Sequence, residues 1–136
     1  MTIVVDATVL CAALVDVGSD GQWAESIVAQ GDLVAPELLL VETANVLRRL
    51  ERSRALSTLE AVSGYRDLMQ LDAELFPYAP FAARIWELRA NLTTYDAWYV
   101  AIAEQLACPL ATLDRRLVRA SGPRCRFSSP QYGARG

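Results

Sequence analysis

Four acids stand where their neighbours make them candidates for chemistry: Asp6, Glu42, Asp96 and Asp114. Asp6 closes the β-branched run Ile3-Val4-Val5, and Asp114 follows Leu110-Ala111-Thr112-Leu113. Each is predicted to stand immediately after a strand, at the edge of a sheet where a carboxylate escapes burial. An Asp in that place also serves simply to cap the next helix. Glu42 lies in "ELLLVETANVLRRL" on a line with Leu39, Val46 and Leu50, a face that should pack inward. A lone carboxylate there is costly unless it pairs with an arginine such as Arg49, sits at the margin of the stripe, or binds a cation. Asn45, one turn on, is placed to hydrogen-bond that carboxylate or a ligand beside it. Asp96 sits in "TTYDAWYVAIAE", where Thr93 and Asp96 fit a T-x-x-D capping box at the start of a helix.

What else the chain lacks narrows the chemistry. It has no histidine and no lysine, and its three cysteines, Cys11, Cys108 and Cys125, form no CxxC pair. That removes histidine-based nucleophile systems, histidine- or thiolate-bound zinc and a disulfide framework, and favours a reducing cytoplasm. Oxygen-only ligands suit hard cations, Mg²⁺ with Mn²⁺ as a substitute. Without a cation four neighbouring carboxylates would repel one another and raise each other's pKa values. Such a cluster suits metal-dependent phosphodiester cleavage, in which a cation lowers the pKa of a bound water and stabilises charge on the attacked phosphate.

The elements that must position these acids are short. Ile3 to Val5, Leu33 to Ala35, Glu74 to Tyr78, Leu110 to Leu113 and Arg124 to Ser128 read as strands. Between them, helices are predicted over Ala7 to Val15, Gln22 to Ala29, Glu37 to Arg52, Ser57 to Leu71, Phe81 to Ala90 and Thr93 to Ala107, with one or two turns over Arg115 to Ala120. Pro36 suits the first turn of the third helix, and Ser57 with Glu60 forms a capping box. Tyr95, Trp98, Tyr99, Ile102 and Leu106 recur at helical spacing and read as a packing face. Trp23, Phe81 and Trp86 say little about function beyond offering an apolar groove to a partner. Strands alternating with helices give an α/β fold, a mostly parallel sheet between helical layers, with ligands at the carboxyl ends of its strands.

A length of 136 residues and 53% hydrophobic content fit one domain, 1–136, with a basic C-terminal segment over about 122–136. The apolar start is interrupted by Asp6, and neither a signal peptide nor a membrane span is expected. The net charge of −3 hides an asymmetry. All 16 acids precede residue 115, whereas Arg115, Arg116, Arg119, Arg124, Arg126 and Arg135 follow with no acid among them. Arginine grips phosphate or carboxylate in bidentate fashion, so an anionic partner or a solvated basic tail both fit.

"IVVDATVLCAAL", "APELLLVETANVLRRL" and "LTTYDAWYVAIAEQLACPLATLDRRL" resemble the PIN-domain ribonucleases, and more closely the VapC toxins of VapBC toxin–antitoxin modules. The resemblance runs from Ile3 to about Leu117 and implies a three-layer α/β/α PIN-like domain. It places the acidic ligands of the family on Asp6, Glu42, Asp96 and Asp114. Thr8 and Thr112 match the small hydroxyl positions beside the site, with Thr8 standing where Ser or Asn is commoner, and Asn45 matches the Asn that follows the Glu. It also implies Mg²⁺-dependent endoribonuclease activity, a homodimer, and inhibition by a VapB-type antitoxin in a hetero-oligomer, with tRNA or rRNA as the substrate class. Arg48, Arg49, Arg115, Arg116 and Arg119 are candidates to grip the RNA backbone. Two other readings stay open: a PIN-like nuclease outside any toxin–antitoxin pair, and a non-catalytic dimeric module whose acids bind a basic partner. Phosphoryl transfer to an aspartate fits poorly, because "DATVL" lacks a second Asp and the chain lacks lysine.

Overall fold

The computed structural model describes residues 1–130. Five strands form one sheet: β1 (Thr2–Val5), β2 (Asp32–Pro36), β3 (Ala73–Phe76), β4 (Leu110–Ala111) and β5 (Phe127–Ser128). Their order is β3-β2-β1-β4-β5 and every pairing is parallel, so the sheet is wholly rather than mostly parallel. Parallel strands need covered faces, which is why β1 is apolar from Ile3 to Val5. Ile3, Val4 and Val5 are buried in the core, and each such side chain contributes roughly 1.5–3 kcal/mol. In register, Val4 lies beside Val34 of β2 on one side and Leu110 of β4 on the other.

The helices are α1 (Ala7–Val15), α2 (Ser19–Gln30), α3 (Leu38–Arg52), α4 (Thr58–Met69), α5 (Ala82–Glu87), α6 (Thr94–Leu106) and α7 (Arg115–Arg119). Helix α1 packs on α2, α3 and α4, and α3 packs on α4. Helices α5 and α6 pack on each other, and α6 lies on β1, β2 and β4. A small second core of Cys11, Leu47, Leu56 and Ala61 fills the space between α1, α3 and α4. Gly21 lets α2 approach α1 closely, because a Cβ there would come within 1.8 Å of the Asp16 carbonyl oxygen. The three-layer α/β expectation therefore holds. Its last six residues, 131–136, including Arg135 of the basic segment, lie outside the described residues.

Several boundaries move, each for a local reason. Pro36 does not open α3; it is the last residue of β2, and Glu37 precedes the helix without a side-chain cap. The segment 81–90 is a short α5 between two 3₁₀ turns, Ala79–Phe81 and Leu88–Ala90, rather than one helix. The third strand ends at Phe76, before Pro77, not at Tyr78, and β4 and β5 are two residues each. The Ser57–Glu60 capping box forms in both directions, at 2.8 and 3.0 Å. Along α6 the apolar stripe is differently placed than its spacing suggests: Tyr95 and Leu106 are exposed, and Ala97, Val100, Ala101 and Ala103 join Tyr99 and Ile102 in the core. Small residues bury on several sides of a helix that lies against a sheet, which a one-stripe pattern does not capture. The helix ends at Ala107 in the left-handed conformation, φ 51°, the position usually given to glycine. Phe81 belongs to the core, Trp23 packs against it, and Trp86 stands exposed under the Arg89 guanidinium.

Candidate active site

The strand order changes direction at β1, whose neighbours β2 and β4 lead to opposite edges. Ligands of open parallel sheets bind at such a point, outside the carboxyl ends of the strands. Asp6 follows β1 directly. Its backbone N–H donates to the Ala111 carbonyl, and its carboxylate caps α1 by accepting from the Val9 N–H at 3.1 Å. After β4 the chain turns through Thr112 and Leu113, so Asp114 stands three residues beyond the strand and caps α7 through the Arg116 N–H at 2.9 Å.

Two hydroxyls weld these loops together. Thr8 Oγ1 donates to Asp6 Oδ1 and Thr112 Oγ1 donates to Asp6 Oδ2, both at 2.5 Å. In return the Leu113 N–H donates to Thr8 Oγ1 and the Asp114 N–H to Thr112 Oγ1, both at 2.9 Å. Each oxygen of Asp6 is thereby fixed from a separate element. Thr8 is as good a donor here as the commoner Ser would be.

Asp96 enters from the first turn of α6. Only one half of the expected capping box forms: Thr93 Oγ1 accepts from the Asp96 N–H at 3.2 Å, and the cap fixes where the helix starts. Glu42 enters from the middle of α3, where it is half-buried rather than sunk in the core. It pairs with neither Arg49 nor Asn45. Instead Tyr99 Oη donates to Glu42 Oε1 at 2.6 Å, joining α3 to α6. Tyr99 reads as packing in the sequence. The signal that could have found it is elementary, since a buried phenol needs a polar partner and Tyr99 lies one turn after Asp96.

The electrostatics bind the four acids into one unit. Burial pushes the Asp6 carboxyl up to about 6; the two threonine hydroxyls and the Val9 amide oppose the rise, and the Asp96 charge adds to it. Burial also raises Glu42, with the Tyr99 hydroxyl opposing and Asp96 adding. Asp96 is raised by burial and by the charge of Asp114, against the Thr93 hydroxyl and Arg116. Asp96 is therefore the member that feels or is felt by the other three. Arg116 Nε lies 3.8 Å from Asp114 Oδ1 on an exposed side chain, too loose to neutralise the group. Among the described residues no three acids already close into a cation cage. The donor set is nonetheless all oxygen and partly desolvated, which fits a hard divalent cation.

The arginine candidates separate. Arg116 stands over Asp114 and Asp96, and Arg49 lines a groove shared with Thr8 and Glu42. Arg48 lies in a different groove, between α3 and α4 beside Tyr65 and Met69. Arg115 and Arg119 line a small pocket with Val118 and Ser129.

The sheet is parallel, the acids stand about its switch point, and residues 3–123 match the PIN domain family. The chain belongs to that family. It is 40% identical over 123 residues to the VapC ribonuclease Mb0985 of Mycobacterium bovis, covering 90% of this chain and 94% of the relative. Among solved structures, PAE2754 from Pyrobaculum aerophilum superposes with a TM-score of 0.70 at 21% identity, covering 93% of this chain and 83% of the other. VapBC2 from Rickettsia felis, bound to a DNA fragment from its promoter, gives 0.66 at 14% identity over 95% and 98% of the two chains. At those identities the structural matches speak for the fold.

Proposed function

We propose that this protein is a Mg²⁺-dependent endoribonuclease of the VapC type, the toxin of a toxin–antitoxin pair. The observation that carries the reading is the acidic centre: four carboxylates from four separate segments, linked electrostatically through Asp96, with Arg116 only loosely beside Asp114. The 40%-identical relative named a VapC ribonuclease supports the same activity for this chain. Asp6, Glu42, Asp96 and Asp114 would hold the cation, one or two ions, with Mn²⁺ as a substitute. When bound it supplies an activated water and stabilises charge on the attacked phosphate. The chain's own residues do the rest. Thr8 and Thr112 fix both oxygens of Asp6, Tyr99 fixes one oxygen of Glu42, and the Thr93 cap fixes the start of α6 and with it Asp96. Water adds to phosphorus in line and the P–O3′ bond breaks, leaving a 5′-phosphate and a 3′-hydroxyl. Arg116, beside the acids, is placed to meet the RNA backbone.

The partner that fits is a VapB-type antitoxin with basic side chains for the acidic centre, in a hetero-oligomer built on a toxin homodimer in the cytoplasm. The matched Rickettsia felis structure is a VapBC pair, which supports such a partner. Among the described residues no helix is long and apolar enough to cross a membrane.

The test is RNA cleavage by the purified chain with Mg²⁺ or EDTA, followed by sequencing of the RNA ends, beside the Asp6→Asn/Asp96→Asn double variant. Cleavage that needs Mg²⁺ and vanishes in the variant is expected. Undiminished cleavage in the variant sinks the proposal. Calorimetric titration with Mg²⁺ separates the nuclease from a scaffold that uses its acids only to bind a partner: the nuclease gives heat that Asp6→Ala abolishes.

A further inference from the structure

The acidic centre opens into a groove of about 570 Å³ between α1 and α3, a volume that suits a nucleotide-sized ligand. Thr8 and Glu42 form its inner end, so groove and acidic centre share walls. Its floor is apolar, made by Cys11, Val15 and Leu50 at the outer face of the small core. Asn45 stands exposed on its rim, with an amide able to donate and accept.

The charges along the groove are unequal in availability. Asp16 Oδ1 accepts from the Gly18 N–H at 2.7 Å, and Glu42 Oε1 accepts from Tyr99 at 2.6 Å, so one oxygen of each acid is taken within the fold. Arg49 is the cation of the lining, and its guanidinium makes no hydrogen bond or ion pair with the described residues. Its charge reaches into the groove, where it acts on the Cys11 thiol. A free guanidinium above an apolar floor, with an amide beside it, matches a nucleotide: phosphate on the arginine, base on the floor, base edge at the amide.

We infer that the α1–α3 groove is a subsite for the nucleotide next to the scissile phosphate, and that Arg49 holds that nucleotide's phosphate. The inference rests on the nuclease reading for the word "scissile", but the binding it claims is measurable without catalysis. Arg49 is a positioning residue here; it stands on the last turns of α3 with an exposed side chain, so its replacement leaves the core intact.

The test uses the full chain in EDTA and 5′-AMP or 5′-UMP as probes, read by backbone amide shifts. The expected result is a set of shifts at Cys11, Val15, Asn45 and Arg49, and a roughly tenfold loss of affinity in Arg49→Ala, smaller in Arg49→Lys, as for one charge-assisted hydrogen bond. Shifts confined to α7 and Ser129 overturn it. So does a groove that answers N-acetylarginine amide but neither nucleotide, which makes it a peptide surface. In the cleavage assay Arg49→Ala is expected to raise KM about tenfold with little change in kcat. Mg²⁺-dependent cleavage with unchanged KM and unchanged nucleotide affinity defeats the subsite and leaves the nuclease standing. Nucleotide binding in the groove without any RNA cleavage does the reverse.

Discussion

Two carboxylate-bearing regions of this molecule use the same chemistry to opposite ends. At the C-terminal edge of β1 and β4, Asp6, Glu42 and Asp96 are buried or half-buried beside one another, and their proton affinities rise. On the other side of α6, Glu104 accepts from Arg84 Nε at 2.7 Å, from Arg84 Nη2 at 3.1 Å and from the Arg124 N–H at 2.7 Å. Burial alone would raise Glu104 too, but the arginine and the amide outweigh it and hold the group below its ordinary value. Arg84 also donates to the Gly122 carbonyl at 3.0 Å, so the pair ties the segment leading to β5 onto α5 and α6. One region satisfies its carboxylate within the chain; the other satisfies geometry with hydroxyls and leaves the charge for something outside it. That difference separates an acid paired within the fold from acids whose charge the fold leaves unpaired.

The largest expected effect breaks the comparison at the level of activity. Asp96→Asn should lower Mg²⁺-dependent RNA cleavage by at least about 100-fold, taking the loss of an outer-shell partner as a lower bound. Glu104→Gln should leave cleavage unchanged, although it too removes a partly buried charge. Initial rates on one RNA substrate at saturating Mg²⁺ compare the two, and an equal loss in both would show that the distinction between the regions is false.

Much of this contrast was legible in the sequence, and the part that was not has physical causes. Asp6 and Asp114 announced themselves because a carboxylate ends each apolar run, and Asp96 because a threonine three residues earlier caps its helix. The parallel sheet followed from strands alternating with helices. Tyr99 as the partner of Glu42 was hidden, since aromatic residues at helical spacing carry no sign of which one has a polar neighbour 57 positions away. The Arg84–Glu104 tie was hidden for the same reason: its members lie 20 residues apart on different helices. Exposed Tyr95 and Leu106 on α6, and Pro36 inside β2, were settled by tertiary packing that overrides local preference.

The next prediction concerns pH. Asp6 has its folded pKa raised from 3.8 to about 6, so it contributes stability in full below the unfolded value, and that contribution is lost as pH rises through the folded one. In EDTA, unfolding free energy should therefore fall by up to about 3 kcal/mol between pH 4 and 6, at 1.36 kcal/mol per unit. Glu42 and Asp96 add in the same direction. Asp6→Asn should flatten most of that slope, and Mg²⁺ should restore stability to the wild type above pH 6. Urea titrations across this window measure it, and a wild-type slope in the variant would show that Asp6 is not the group responsible.

Glu104 predicts the opposite slope, because a lowered folded pKa contributes stability above the unfolded value that is lost on acidification. Glu104→Gln should lower the unfolding free energy at pH 7 by about 1–3 kcal/mol, the range for breaking hydrogen bonds to a charged group. Divalent cations should not rescue it. Rescue by Mg²⁺ would mean that the tie is coupled to the acidic centre.

The smallest effect tests a buried polar group that belongs to neither region's pattern. Thr43 is fully buried on α3 beside Glu42, and its hydroxyl has no hydrogen-bond partner among the described residues. An orphaned hydroxyl carries a desolvation cost with nothing to offset it, so Thr43→Val, of the same shape, should stabilise the chain by about 1 kcal/mol. A gain in melting temperature with unchanged Mg²⁺ affinity would place Thr43 with the fold, like Glu104 but unpaired. A loss of Mg²⁺ affinity in Thr43→Val would move it to the acidic centre, as a hydroxyl waiting for the same ligand as its neighbour.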